Sequence, residues 1–250
     1  MLLNILKKEP LLEKEIINWM FDTFEWALRN FDAEIFQQTE LVNPSNQHFP
    51  GRSNSAQEMA ELIFNRVKTY AGMAHWPFVL VNEENIQQIP QQSHVQVEGH
   101  MRSFDEQLLP TTVDEGNQLF VSFHPYQIND PEVLISSYAH AMAHYLGLTA
   151  KEEPPGGKEN WAQVTELLAV FLGFGITMAN SAHTNKVRSC GSCAGPIVER
   201  MNFLSQHEVT YALAIFCHLK KLPAKKVTPY LKKSLISYFK KAMKEIEKNH

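Results

Sequence analysis

From Leu11 to Asn30 the chain reads "LLEKEIINWMFDTFEWALRN", with Ile16, Trp19, Met20, Phe24 and Leu28 recurring at helical spacing. That pattern predicts an amphipathic helix. The polar stretch "NPSNQHFPGRSNS" then breaks the pattern as a loop, and Ser55 is placed to cap a second helix, "SAQEMAELIFNRVKTYAG", closed by Gly72. In the middle the period changes. "FVLVN" (78–82), "HVQVEGH" (94–100) and "QLFVSFH" (118–124) read as strands, the last two alternating with period 2, with Pro90 and "DEGN" between them. After His124 the helical period returns over 131–147, 158–180, 205–220 and 227–248, with a joint "SCGSCAGP" between the second and third. The sum predicts an α+β fold, a small antiparallel or mixed sheet inside a mostly helical single domain. Residues 1–250 then divide into a helical N-terminal part (1–75), a sheet with two central helices (76–185) and C-terminal helices (186–250).

Composition narrows the class without naming it. Apolar content of 44% and charged content of 20% suit a globular chain with ample core. A net charge of −4 argues against a nucleic-acid partner, although ten lysines fall between Lys220 and Lys248 against Glu245 and Glu247. There Leu231, Leu235, Phe239, Ala242 and Ile246 form an apolar stripe, so the terminal helix presents a basic outer face. That face is solvated by default, and contact with an acidic partner or an anionic membrane is the alternative. Six residues before the first lysine pair are too few for a signal-peptide core, and the run "LLAVFLGFGITMA" of 13 is short of the ~20 that span a bilayer. No transmembrane segment is expected, and the location expected is cytoplasmic, or exported by a route without an N-terminal signal. Three cysteines suggest a reducing compartment.

The chemistry concentrates in "SYAHAMAHYLGL" (137–148). His140 and His144 are four apart on a helix, so both imidazoles can face one metal ion, and zinc takes such ligands readily. Two histidines so spaced also occur on ordinary core helices. In the hydrolytic form of the motif, the residue after the first histidine is a glutamate that deprotonates the zinc-bound water. Here it is Ala141, whose methyl group accepts no proton.

With "EEPPGG" and "TELLAVFLGFGI" downstream, the helix resembles the gluzincin type of zinc metallopeptidase, and more narrowly a set of bacterial proteins carrying that motif. The likeness extends to "FEWALRNF", "AGMAHWPFVLV" and "YALAIFC". The resemblance implies a zincin-like fold with helices 131–147 and 158–180 side by side. It also implies a Zn²⁺ cofactor, a peptide or protein substrate, and hydrolysis of a peptide or amide bond. The family's second helix reads Glu-x-x-Ser/Thr-Asp/Glu, its first acid binding zinc and its last orienting a ligand histidine. Laid on this chain, Thr165 and Glu166 fit the end of the pattern, and the ligand position falls on Ala162. Two alanines in place of two glutamates read as the loss of one function, whether by descent or by substitution. Glu166, or Glu159 seven residues before it, is the substitute ligand in a shifted register. Otherwise Glu166 keeps the orienting role.

Two further features carry candidate chemistry. Cys190 and Cys193 in "CGSC" suit half of a structural zinc site, with His183, His207, Cys217 or His218 completing it; a redox pair and plain loop cysteines are the alternatives. In the gluzincin type a His or Tyr from a later helix stabilises the oxyanion, and His207 and Tyr211 are the candidates. Tyr211 reads equally as a core aromatic. The strand "QLFVSFH" resembles the edge on which such enzymes lay an extended substrate, or is an ordinary sheet edge.

Overall fold

The computed structural model describes residues 10–85, 101–105, 118–182 and 203–249. Within them the order is α1 (Lys14–Asn30), α2 (Ala33–Gln38), α3 (Ala56–Tyr70), β1 (Phe78–Asn82), β2 (Leu119–Phe123), α4 (Pro131–Gly147), α5 (Trp161–Ala169), α6 (Gly175–Ser181), α7 (Gln206–Leu219) and α8 (Lys233–Asn249). The α+β class holds, helix greatly exceeding strand. The strand expected over 94–100 lies outside the described residues.

The sheet is a correction. β1 and β2 pair in parallel, Phe78 opposite Leu119 and Asn82 opposite Phe123, rather than antiparallel. Period-2 alternation is the same in either direction, so the residues gave no direction; a parallel pair needs a long crossover. Buried apolar side chains from Ile17 in α1 to Ile246 in α8 form one contiguous cluster.

Local signals explain most boundaries. Ser55 accepts from the Glu58 N–H at 3.1 Å and starts α3. Ser205 and Glu208 make a reciprocal capping box at α7. The short α2, inside the expected loop, starts because the Asp32 carboxylate accepts from the Glu34 and Ile35 N–H groups. α8 begins at Lys233 rather than 227, after Pro229, although Leu231 still packs inward. On α1 the buried face is Ile17, Met20, Phe24 and Ala27, while Ile16, Trp19 and Leu28 are half-buried at its margin.

That margin fixes the loop between α4 and α5. The Trp19 indole donates to the Pro155 carbonyl at 2.8 Å and the Trp26 indole to that of Glu152 at 3.1 Å. The Asn30 side chain accepts from the Lys151 N–H at 3.0 Å. Three α1 side chains, spaced along one face, therefore hold the turn that sets α5 beside α4.

The helix expected over 158–180 is broken. After α5 comes a π-helical turn, Val170–Phe174, in which Gly173 adopts φ 98°, and α6 starts anew. A Cβ on Gly173 would lie 2.1 Å from the Glu40 carbonyl oxygen. The strap after α2 docks in this break, and the Val42 N–H donates to the Gly173 carbonyl at 2.9 Å. The α5–α6 run from Lys158 to Ser181 is long and apolar enough to span a bilayer, but its apolar window is 89% buried against the rest of the fold.

At the far end of α6, Asn180 donates to Glu132 at 2.7 Å and to the Tyr230 carbonyl at 2.8 Å, and accepts from the Lys232 N–H at 2.9 Å. One amide thus joins α4, α6 and the approach to α8. Burial raises the Glu132 carboxyl above its ordinary value, against the lowering effect of the Asn180 bond.

Gly173→Ala should cost roughly 2–6 kcal/mol, adding left-handed strain of ~1–3 to overpacking of ~1–3; denaturant unfolding measures it. Because the fold holds the Glu132 proton more tightly than the unfolded chain does, this group stabilises at low pH. That contribution is lost as pH rises from 4.5 through the raised value. Glu132→Gln should therefore gain stability relative to the parent between pH 4 and pH 7, read as the difference between their melting temperatures.

Candidate functional site

α4 starts where the Asp130 carboxylate accepts from the Val133 N–H at 3.3 Å and Pro131 presets the first turn. From Leu134 to Gly147 every residue is buried except His140 and His144, which are half-buried. The helix is apolar nearly all round, as a central core helix must be. The half-buried stripe the two histidines make carries both imidazoles on one face, with the two ring nitrogens of His140 enclosed by the fold. Burial lowers the His144 pKa, so the neutral ring, the metal-binding form, is favoured there.

α5 packs alongside α4, as the sequence led us to expect for helices 131–147 and 158–180. Gly147 makes the close approach possible, since a Cβ there would sit 3.0 Å from the Trp161 ring and 3.3 Å from Leu168. Ala162 is half-buried in the first turn of α5, and the Thr165 hydroxyl is turned back to the Trp161 carbonyl at 2.8 Å. Glu166 is completely buried, and one of its oxygens accepts from the Leu204 N–H at 2.9 Å. The carboxylate therefore ties α5 to the start of α7.

Among the described residues no group of three or more His, Cys, Asp or Glu side chains converges as a metal site. His140, His144 and Glu166 are brought to one helix pair, but they do not form the three-donor set that a catalytic zinc requires. Ala141, at the position of the general base, is 1% exposed and belongs to the core. Glu159 is exposed in the turn before α5.

The oxyanion candidates face elsewhere. The Tyr211 hydroxyl donates to Glu245 of α8 at 3.0 Å, and burial together with the Glu245 charge raises its pKa. Glu245 also accepts from the Leu11 N–H at 3.2 Å. His207 is exposed and stacks on Tyr238 of α8, ring centroids 4.3 Å apart. Helical spacing gave the face these residues share, but the neighbour across it is α8 and not α4. Their observed contacts join the last two helices.

Cys190, Cys193 and His183 lie outside the described residues. Of their suggested partners, Cys217 is buried in α7, and burial pushes its thiol up to about 12. The β2 edge is also partly taken. The Leu119 N–H donates to Pro77 on the β1 side, so Phe120 points its carbonyl to the other edge. There it accepts from the Tyr145 hydroxyl at 2.8 Å. An added strand would have to displace that bond.

Sequence reasoning missed Arg102, which is 2% exposed and hydrogen-bonded to Ala71 and Thr39. No spacing signal marks a single buried arginine in a loop. It also missed a cleft lined from both ends of the chain, by residues near Thr39 and near Lys220.

No known protein-family model matches the chain, and no curated protein or solved structure does either. The gluzincin likeness therefore rests on the residues quoted above.

Glu166→Ala leaves the Leu204 N–H without this acceptor and should cost about 1–3 kcal/mol, while Glu166→Gln, which keeps an acceptor oxygen, should cost less. Chemical denaturation of the two variants checks this. An unaffected Glu166→Ala protein would mean that the carboxylate is no part of the scaffold.

Proposed function

We propose that the protein is a hydrolytically silent relative of the gluzincin zinc metallopeptidases, a pseudoenzyme that acts as a binding or regulatory module. The observation that carries this reading is the pairing of α4 and α5. Two histidines one turn apart lie on the half-buried stripe of α4, the gluzincin-like second helix packs beside it, and of the pattern's three acidic positions the general base and the third ligand hold alanine while only Glu166 remains. Loss of a general base typically costs 10²–10⁴-fold in rate. Without an anchored zinc-bound water there is nothing for a base to deprotonate, so the remaining advantage goes as well. His140 and His144 would be the residues left to hold a metal, weakly, with Glu166 engaged at Leu204.

The test is zinc titration and peptide-library cleavage on the parent and on Ala141→Glu, Ala162→Glu and the double variant. The parent should cleave nothing and bind zinc weakly. The double variant should gain zinc affinity, and zinc should raise its melting temperature; Ala141→Glu alone should gain neither and should be less stable, since it buries a carboxylate with no cation beside it. If the double variant binds zinc no better than the parent, the gluzincin register is wrong. Zinc-dependent peptide cleavage by the parent would overturn the silent reading.

A further inference from the structure

The geometry points to a second site, a cleft between the end of α2 and the turn following α7, that binds a small organic anion through its phosphoryl or similarly charged group. The cleft holds about 580 Å³, within the ordinary range for small ligands, and none of its lining belongs to α4 or α5. Three lysines, Lys220, Lys225 and Lys226, line it against a single carboxylate, Glu40.

These charges are not cancelled locally. The Lys220 ammonium donates to the carbonyls of Phe36, at 2.9 Å, and Gln37, and lies 5.4 Å from the Phe36 ring centroid. All of those partners are neutral, so the group is fixed in place with its charge intact. Lys225 and Lys226 are exposed and form no ion pair among the described residues. Glu40 stands 3.8 Å from His48, a ring that burial keeps towards its neutral form.

Behind the wall is the fourth cation. Arg102 donates through Nε to the Ala71 carbonyl at 2.9 Å and through Nη2 to the hydroxyl of Thr39, a lining residue, at 2.8 Å. Its guanidinium carbon lies 5.6 Å from the Phe171 ring centroid, and its Nη1 has no hydrogen-bond partner among the described residues. Burial holds Arg102 down to about 9, with Asp32 opposing, while burial first and the Arg102 charge second lower Lys220. The like charge of Arg102 felt at Lys220 is what an anion placed between them and the outer lysines would relieve.

Solvated lysines on a surface are ordinary, and Lys225 and Lys226 alone would say nothing. What sets this cleft apart is the rooted pair behind them, in a chain whose overall charge is −4. Three ammonium groups, each a compact point charge with three donors, suit a tetrahedral phosphoryl group better than a planar carboxylate, which favours a bidentate arginine fork. Amides of Gln37 and Asn43 add donors, and Leu222 and Tyr230 offer apolar surface for an organic body.

The test is calorimetric titration of the full chain at constant ionic strength with inorganic phosphate, pyrophosphate and phenyl phosphate, beside Lys225→Ala/Lys226→Ala. Both lysines are exposed, so an unchanged melting temperature should confirm that the variant is folded. Saturable binding is expected, tighter for phenyl phosphate than for inorganic phosphate, with a loss of about tenfold or more in the variant, the scale of removing charge-assisted contacts. No saturable binding by any of the three, or undiminished binding in the variant, overturns the site. Pyrophosphate binding without any gain from the phenyl group overturns the organic-body part. Neither zinc nor proteolysis enters the readout, so this site and the α4–α5 reading stand or fall separately.

Discussion

The break at Gly173 is the constraint on which the rest of the packing turns. An unbroken helix from Trp161 to Ser181 could lie along one groove only. With a π turn and one left-handed residue, the same run becomes two short rods, α5 against α1 and α4, and α6 against α4 and α7. The gap left on the broken side receives the strap after α2, locked by the bond from the Val42 N–H to the Gly173 carbonyl. Glycine is required because the Glu40 carbonyl occupies the space of a side chain. The strap then presents Thr39 to Arg102 on one side and Glu40 to solvent on the other. So the helix break, the buried arginine and the wall of the cationic cleft are consequences of a single backbone event.

How much of this is legible in the residues follows from the range of each signal. Caps act over three or four residues, so the Ser55 cap is read from the sequence and found, and the helix starts expected at 131 and 205 fall within a residue of those observed. The two-histidine face of α4 is also local, a matter of period, and α4 keeps its expected bounds. The break is not visible, because "LLAVFLGFGITMA" contains no charged or proline residue, and its glycines read as helix packing. The direction of the sheet, and the turning of Tyr211 and His207 to α8, depend on which element arrives across a face. Amphipathic spacing says that a face is covered, and is silent about what covers it. Arg102 is the extreme case. Its partners are Ala71 and Thr39, 31 and 63 residues away, and no pattern around it announces them.

The two candidate sites rest on opposite electrostatics. The α4 stripe holds imidazoles among apolar neighbours, with the nearby helix-borne carboxylate, Glu166, turned to a backbone N–H. The cleft gathers ammonium groups held by neutral oxygens, so that their charge survives. A divalent cation would find two imidazoles at the first and repulsion at the second. An anion would find the reverse, which is why the two readings do not compete for one ligand.

On the gluzincin reading, the two alanines are coupled by energetics and not by chance. A zinc ion held by two neutral imidazoles keeps its full double charge in a poorly solvated place, so removing the carboxylate ligand weakens the site disproportionately. Once the metal is gone, a glutamate at position 141 changes sign in its effect on the fold. On a helix face that is 1% exposed it becomes a buried carboxylate without a cation, costing several kcal/mol or forcing it to take a proton. Alanine at 162 therefore makes alanine at 141 the stable choice, whereas the reverse order leaves a half-exposed ligand position under no such pressure. The histidines are under none either, because a neutral imidazole is tolerated where a carboxylate is not. On that reading, a helix pair that keeps both histidines and carries alanine at 141 and 162 is what stability alone would leave behind.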